Sequence, residues 1–203
     1  MQLDQYLPGS IIYTDKHAVK TSSGSTNHLI AGNVSKYGYK EGRAAEALFS
    51  FIRGLTLISK HILAVVDVKN HCLRLCGQCR SYGYQDCKPG QFSRPLSLAI
   101  DKEDPAQLLV CDYRNEAVRT VNRTSGEAGT FVKSDILLML RYMTQDDSSG
   151  DLYITASEAL VKVIYSTKAV MHLSGSQSHK SGYIDGVRLY EIWPSEYYHH
   201  IRT

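Results

Sequence analysis

Four cysteines lie close together in the chain and could either bind a metal ion or form disulfides. They are Cys72, Cys76, Cys79 and Cys87. Cys76 and Cys79 have the Cys-x-x-Cys spacing of zinc ligands, but a structural zinc site ordinarily adds a second such pair or a pair of histidines, which this sequence lacks. We therefore expect disulfides, with Cys79 to Cys87 and Cys72 to Cys79 as rival bridges and free thiols as the other alternative. No metal site and no cofactor is predicted.

Acidic, amide and basic side chains recur in a fixed order after short apolar runs. The positions are Asp15, Asp67, Asn70, Arg74, Asp112, Asn115 and Arg119. A ring of carboxylates around a channel is one interpretation. An aspartate at a strand end, however, commonly accepts hydrogen bonds from the turn that follows. An active site is rarely built from the same residue in every repeat, so we predict structural roles for these residues and no catalytic residue.

Other signs of chemistry in the sequence are weak. The Gly-x-Ser-x-Gly elbow, the phosphate-loop lysine motif and the paired-histidine zinc helix do not occur. His199 and His200 could bind a metal, but we interpret them as part of an incomplete strand. Cys111 lies inside an apolar run and is expected to be a buried small side chain.

Two sequons and the cysteine cluster favour an oxidising compartment. Asn33 and Asn122 each begin an Asn-x-Ser/Thr triplet and are candidate glycosylation sites. No run approaches the roughly 18 apolar residues of a membrane helix, and Met1 is not followed by the pattern of a signal peptide. The sequons and cysteines lead us to expect an extracellular or cell-surface location. Because the pattern of a signal peptide is absent, we expect this sequence to be part of a longer chain. A net charge of only +3 makes nucleic-acid binding unlikely.

The elements that position these residues are indicated by a repeated glycine-tyrosine pair. The pairs are Gly38-Tyr39, Gly83-Tyr84 and Gly182-Tyr183, separated by 45 and 99 residues, so one copy between the last two has decayed. The anchors Asp15, Asp67, Asp112 and Thr155 are 52, 45 and 43 residues apart and give the same period. Lys162 follows Thr155 by seven residues, as Arg119 follows Asp112, so we expect this pair to hold the same positions in its repeat, with a structural role. A period near 45 residues is typical of stacked supersecondary units.

Within one period the apolar residues alternate as in short, half-buried strands. Residues 96–100, 108–111, 117–121 and 129–133 each read as a strand, with turn-forming residues between them. Four short strands in each repeat of this length indicate the blade of a β-propeller.

The combined pattern resembles the NHL repeat, a family named after an Asn-His-Leu signature. Asn70 and His71 match the first two letters, Cys72 stands before Leu73, and a glycine-tyrosine step precedes an Ala-x-Phe at 47–49. The resemblance covers roughly residues 9 to 194 and implies an all-β fold, a β-propeller of NHL-type four-stranded blades.

The resemblance also implies an incomplete ring. We expect one array over residues 1–203, with repeats at 1–37 (partial), 38–82 (shortened), 83–135, 136–181 and 182–203 (partial), which makes about four blades and the start of a fifth. The first repeat begins at its second strand. The step from Arg74 to Gly83 is 9 residues, against 18 from Lys20 to Gly38, so the second blade is expected to lack its outer strand.

The function implied by the resemblance is recognition. We expect a non-enzymatic module that forms part of a larger protein. Its loops are expected to bind a protein or a glycan, and its open edges to allow self-association. The alternatives are a metal-dependent propeller enzyme of the lyase or hydrolase type, which would need histidines from several blades, and an RNA-binding NHL domain, which would need a basic face.

Overall fold

The computed structural model describes residues 10–42, 44–59, 62–77 and 92–175, which contain β-strands and two short 3-10 helices at Ala44–Glu46 and Asp135–Leu137. The strands are β1 (Ile11–Asp15), β2 (Ala18–Ser23), β3 (Thr26–Gly32), β4 (Ile52–Ser59), β5 (Ile62–Asp67), β6 (Cys72–Gly77), β7 (Pro95–Ile100), β8 (Gln107–Asp112), β9 (Ala117–Asn122), β10 (Ala128–Lys133), β11 (Leu140–Gln145), β12 (Leu152–Ala156), β13 (Ala159–Val163) and β14 (Val170–Gly175). No helix in these ranges is long and apolar enough to cross a membrane.

The strands form four antiparallel sheets in chain order. The first sheet is β1-β2-β3, the second β4-β5-β6, the third β7 to β10 and the fourth β11 to β14. Strands β4 and β7, and then β7 and β11, lie side by side, so successive sheets are neighbours in space. This is the arrangement of blades in an open, incomplete β-propeller, and the predicted all-β propeller fold is confirmed.

Each sheet falls within one of the first four predicted repeats, whose exact boundaries stay predictions. The second sheet has three strands in the described part of the chain. Its predicted lack of an outer strand concerns residues 78–91, which lie outside the described residues, as does the predicted partial repeat at 182–203.

Alternating apolar side chains join the second and third sheets to both of their neighbours. In β5, Leu63 and Val65 pack against the first sheet, whereas Ala64 and Val66 pack against the third. Strand β8 repeats this division: Leu108 and Val110 face the second sheet, and Leu109 and Cys111 face the fourth. The core therefore consists of three layers, one at each contact between neighbouring sheets. We call these contacts the first, second and third seams.

Turn length explains why the acid-to-base spacing differs between repeats. In the second sheet Asp67 pairs with Cys72 and Val65 pairs with Arg74, across a turn of residues 68–71. In the first sheet Asp15 pairs with Ala18, across a turn of only two residues. Lys20 therefore holds the same strand position as Arg74, although it follows its aspartate by five residues rather than seven.

The same geometry corrects the prediction for the fourth sheet, where Thr155 and Lys162 were expected to correspond to Asp112 and Arg119. The turn between β12 and β13 again has two residues, because Ala156 pairs with Ala159. Val161 therefore takes the position of Arg119. Counting seven residues from Thr155 leads to Lys162, which is one residue beyond that position. Lys162 instead contacts Asp151 at 2.9 Å.

Two glycines close the last strands of the first and fourth sheets in a conformation that other residues rarely adopt. Gly32 has a φ of 89° and Gly175 a φ of 92°. A Cβ atom on Gly32 would lie 2.3 Å from the carbonyl oxygen of His17, and one on Gly175 would lie 2.1 Å from that of Glu158. Both glycines allow the last strand to approach the preceding turn more closely than a side chain permits.

We expect Gly32→Ala to destabilise the protein by about 2–5 kcal/mol, because strain from the positive φ adds to overlap with backbone atoms. Gly24→Ala is the matched control: Gly24 also has a positive φ of 58°, but a Cβ there would meet nothing within 4 Å. This control should cost only about 1–2 kcal/mol. Urea unfolding followed by circular dichroism would compare the two, and equal midpoints would contradict the argument.

Candidate functional site

A buried carboxylate organises the turn of the second sheet. Asp67 is fully buried at the end of β5. Its Oδ1 accepts a hydrogen bond from the backbone nitrogen of Ser50 at 2.8 Å, and its Oδ2 accepts from Asn70 Nδ2 at 2.7 Å and Arg74 Nη1 at 3.4 Å. Burial raises the pKa of Asp67, and the hydrogen bonds and the arginine oppose that rise.

Arg74 carries this network across to the segment that connects the first two sheets. Its guanidinium donates to the carbonyl oxygens of Leu48 at 2.6 Å and Lys40 at 2.7 Å. It also lies 4.4 Å from the ring centroid of Phe49 and 5.1 Å from that of Tyr39. Asn70 donates to the carbonyl oxygen of Gly38, next to Tyr39, at 2.9 Å. The arginine and asparagine therefore fix the connecting loop.

The third sheet repeats most of this arrangement. Asp112 accepts from the backbone nitrogen of Ser93 at 2.6 Å, from Asn115 Nδ2 at 2.7 Å and from Arg119 Nη1 at 3.3 Å. Arg119 also donates from Nε to the carbonyl oxygen of Gly129 at 2.8 Å and lies 5.6 Å from the ring centroid of Phe92. In both sheets the buried aspartate therefore accepts hydrogen bonds from the turn and from the loop before the first strand.

The corresponding pair of the first sheet is simpler and more exposed. Asp15 and Lys20 are 2.5 Å apart, and their side chains are 40% and 23% exposed. The hydrogen bond from Lys20 lowers the pKa of Asp15 and raises that of Lys20. An ion pair of this kind contributes less to stability than a buried one.

Two histidines join neighbouring sheets. The Nδ1 atom of His17 accepts from the backbone nitrogen of Phe51, and that of His71 accepts from the backbone nitrogen of Arg94, both at 3.1 Å. Phe51 and Arg94 have φ values of 73° and 54°, and each directly precedes the first strand of the next sheet. The sequence reasoning identified His71 but missed His17. The available signal was its place immediately before β2, which matches that of His71 before β6.

The other predicted residues divide between described and undescribed parts of the chain. Cys72 and Cys111 are buried, and burial raises the pKa of the Cys111 thiol to about 12. The side chain of Cys76, and the whole of Cys79, Cys87, Gly83, Tyr84, Gly182, Tyr183, His199 and His200, lie outside the description. The predicted disulfides therefore stay predictions. Among described side chains, no group of three or more His, Cys, Asp and Glu is placed to hold a metal ion.

Both sequon asparagines form Asx turns. Asn33 Oδ1 accepts from the backbone nitrogens of Ser35 at 2.9 Å and Lys36 at 3.0 Å. Asn122 Oδ1 accepts from those of Thr124 and Ser125, both at 2.9 Å. These contacts place each sequon in a surface turn and leave glycosylation itself a prediction.

A second polar cluster lies at the third seam, at the end of the sheets away from the Asp112 turn, and no spacing in the sequence indicated it. Asp101 is buried and accepts from Gln145 Nε2 at 3.2 Å and from the Tyr165 hydroxyl at 2.9 Å. Lys168 Nζ lies 3.5 Å from the ring centroid of Phe131 and 3.9 Å from that of Tyr165. Burial lowers the pKa of Lys168 and raises that of Tyr165. This cluster binds the turn after β13 to the third sheet.

No family model matches the chain, and no curated protein matches it. Several solved structures, however, are similar to it. A chain from the crystal structure of a nidogen/laminin complex is similar with a TM-score of 0.59 and 11% identity, over 83% of this chain and 63% of that one. A catalytically inactive virginiamycin B lyase from Staphylococcus aureus, in complex with quinupristin, is similar with a TM-score of 0.56 and 15% identity, over 81% of this chain and 51% of that one.

A further similar structure is a protein of unknown function from Bacteroides thetaiotaomicron, with a TM-score of 0.58 and 17% identity, over 87% of this chain and 46% of that one. The chain thus spans between 46% and 63% of the length of these three structures. At such identities the similarity shows the propeller fold alone.

We expect Asp67→Ala to cost about 3 kcal/mol of folding free energy, because it removes the buried carboxylate partner of Arg74 and leaves only the exposed Glu41, 3.2 Å away, as a counter-ion. It also removes the acceptor for Ser50 and Asn70. The matched control is Asp15→Ala, which breaks the equivalent but half-exposed pair and should have a much smaller effect. Unfolding midpoints of both variants would test this. Equal losses would show that burial does not distinguish the two pairs.

We also expect a measurable acid dependence from Asp146. Its Oδ1 accepts from the hydroxyl of Ser148 at 2.6 Å and the backbone nitrogen of Ser149 at 2.8 Å, and these bonds hold the pKa of Asp146 well below its usual range. Because the folded pKa is depressed, the stabilisation is present above about pH 4 and is lost as pH falls further, through the folded pKa.

Asp146→Asn keeps an acceptor oxygen but removes this titration. The difference in melting temperature between wild type and Asp146→Asn should therefore shrink between about pH 6 and pH 3. A difference that stays constant or grows towards low pH would contradict the assignment.

Proposed function

We propose that the chain is part of an NHL-type propeller that recognises a protein or a glycan and catalyses no reaction. The observation that carries this proposal is the repeated use of polar signature residues to hold loops. Asp67 and Asp112, both fully buried, hold the turns of the second and third sheets and the start of each sheet. Loops fixed on a rigid scaffold are the usual site of recognition.

The NHL assignment is supported by the roles of Asn70 and His71. Asn70 donates to Asp67 and to the connecting loop, and His71 accepts a hydrogen bond from the next sheet. A signature whose members each join two pieces of backbone is consistent with a repeat motif. The proposed location is extracellular or at the cell surface, in agreement with two sequons that lie in surface turns.

Recognition is favoured over catalysis by the contacts of the histidines. His17 and His71 each use Nδ1 to accept a backbone hydrogen bond at a seam, which is a structural task. The similar lyase structure supports a common fold and carries no argument for a shared reaction, because function resides in sites rather than folds.

The recognition proposal predicts saturable binding of the purified 203-residue chain to a member of an array of extracellular proteins and glycans. Binding should decrease in a variant whose turn 113–116 is altered at Tyr113 and Arg114 to serine, since the side chains of Asn115 and Asp112 keep the turn in place. The matched control alters Thr124 and Ser125 to alanine in the opposite turn of the same sheet and should bind normally.

The enzymatic alternative needs its own measurement. Incubation of the chain with quinupristin and a divalent cation, followed by mass spectrometry, should show no linearised product. Turnover above a no-protein blank would overturn the non-enzymatic proposal, and a failure to bind any array member would leave it without support and count against it.

A further inference from the structure

Exposed cations collect at one end of the sheets although the net charge of the chain is only +3. We define the upper face as the end at which β4, β7 and β11 begin, and the lower face as the opposite end. In an antiparallel sheet the turns β1–β2, β5–β6, β8–β9 and β12–β13 also lie at the upper face. Five exposed basic residues lie there over the first two seams: Lys16, Arg53, Lys69, Arg94 and Arg114.

Backbone hydrogen bonds bring these five residues to the same two seams. At the first seam, the carbonyl oxygen of Lys16 accepts from Ile52, the neighbour of Arg53, at 2.7 Å. The backbone nitrogen of Lys69 donates to the carbonyl oxygen of Ser50, two residues before β4, at 3.0 Å. The cations thus lie on fixed backbone although their charged ends reach solvent.

The second seam is built in the same way. Arg94 donates from its backbone nitrogen to His71, and Arg114 donates from its own to Ser93 at 2.9 Å. Two of the guanidinium groups also cover aromatic rings: Arg53 lies 4.9 Å from the centroid of Phe51, and Arg94 lies 5.8 Å from that of Tyr113. Such stacking restricts the guanidinium and leaves its edge able to donate to an anion.

Carboxylates do not cancel this charge over the first two seams. Asp67 and Asp112 are buried and already paired with arginines. Asp15, whose side chain is 40% exposed next to Lys16, is paired with Lys20, and Glu116, in the turn of Arg114, is half-buried. The other exposed acids of the upper face are at its margins: Glu41 and Glu46 in the connecting segment, and Asp135 and Glu158 by the third seam. The lower face has the opposite character, with exposed Glu103, Asp104, Glu127 and Asp147, and with its exposed Lys102 already bound to Asp147.

We propose that the upper face binds a linear sulfated glycan across the first and second seams. This inference rests on the proposed recognition function and names its partner class. Cations on separate, fixed turns suit a chain that carries an anionic group on each successive sugar. Tyr37, 72% exposed, packs against His17 at 5.5 Å between ring centroids and offers an apolar ring face for a sugar beside these cations.

An acidic protein fits this surface less well. Tight protein recognition generally requires a side-chain pocket for an anchor residue. The rings of Phe51 and Tyr113 lie among the five cations but are already covered by arginines, and the exposed ring of Tyr37 is a flat surface rather than a pocket.

The probe is heparin, titrated against the purified 203-residue chain at several sodium chloride concentrations, with chemically desulfated heparin as the ligand control. Binding should weaken steadily as salt rises, because bound cations release counterions from the polyanion. Desulfated heparin should bind at least about tenfold more weakly.

The matched protein variants are Arg114→Glu and Arg123→Glu. The two arginines belong to turns at opposite ends of the third sheet, and each backbone nitrogen donates to a carbonyl oxygen, of Ser93 and Ala106 respectively. Both substitutions change the net charge equally. Arg114→Glu should weaken heparin binding by at least about threefold and reduce its salt dependence, whereas Arg123→Glu should not. Lys69→Glu, at the other seam, is a second upper-face variant, and melting temperatures confirm folding.

Three results would overturn the glycan assignment: equal losses for Arg114→Glu and Arg123→Glu, equal binding of desulfated heparin, or tighter binding of a single-stranded RNA or an acidic peptide of equal charge. If heparin does not bind but a protein on the array does, the glycan inference is wrong and the recognition function stands. If nothing on the array binds either, both fail.

Discussion

The hydrogen bonds accepted by Asp67, and again by Asp112, are the constraint on which the second and third blades depend. A carboxylate removed from water is stable only if its oxygens are satisfied, and in both sheets the partners are a backbone nitrogen before the first strand, an asparagine of the turn and an arginine. Since these partners come from separate segments, satisfying one carboxylate holds the turn, the incoming loop and two strands together. The spacing of the signature residues follows from this requirement.

Association between blades depends on a different set of contacts. Apolar side chains of β5 and β8 alternate between two neighbours, so the second and third sheets bury both of their faces. That burial is favourable but has no preferred register. The hydrogen bonds from Phe51 to His17 and from Arg94 to His71 are directional and fix how far each turn extends over the next sheet. At the third seam Glu116 stands where His71 does, directly before its strand.

How much of this could be predicted depends on whether a feature is local in the sequence. The alternation in residues 96–100, the apolar run at 108–111 and the recurrence of Asp, Asn and Arg predicted strands, turns and a propeller, because each depends on neighbouring residues. The position of Lys162 could not be predicted in this way: a turn shorter by two residues shifted every later partner, and turn length is set by backbone geometry. His17 was missed because its turn is also shorter: it follows Asp15 by two residues, whereas His71 follows Asp67 by four. The cluster of Asp101, Gln145 and Tyr165 joins residues far apart in the chain, so no spacing indicated it.

The distribution of buried and exposed charge links this architecture to recognition. The arginines that pair with the buried aspartates are largely withdrawn from solvent, since the side chain of Arg74 is 5% exposed and that of Arg119 is 17% exposed. The signature charges are therefore occupied within the blades, and the surface potential over the first two seams comes from residues outside the signature, such as Lys69 and Arg114. Such surface residues can be substituted without removing the partner of a buried charge. A propeller built in this way separates the charges that stabilise its fold from those that choose its ligand, so ligand preference can differ between propellers that share one network. Net charge averages over both faces and hides this separation, which becomes visible only when the turns are placed at one end of the sheets.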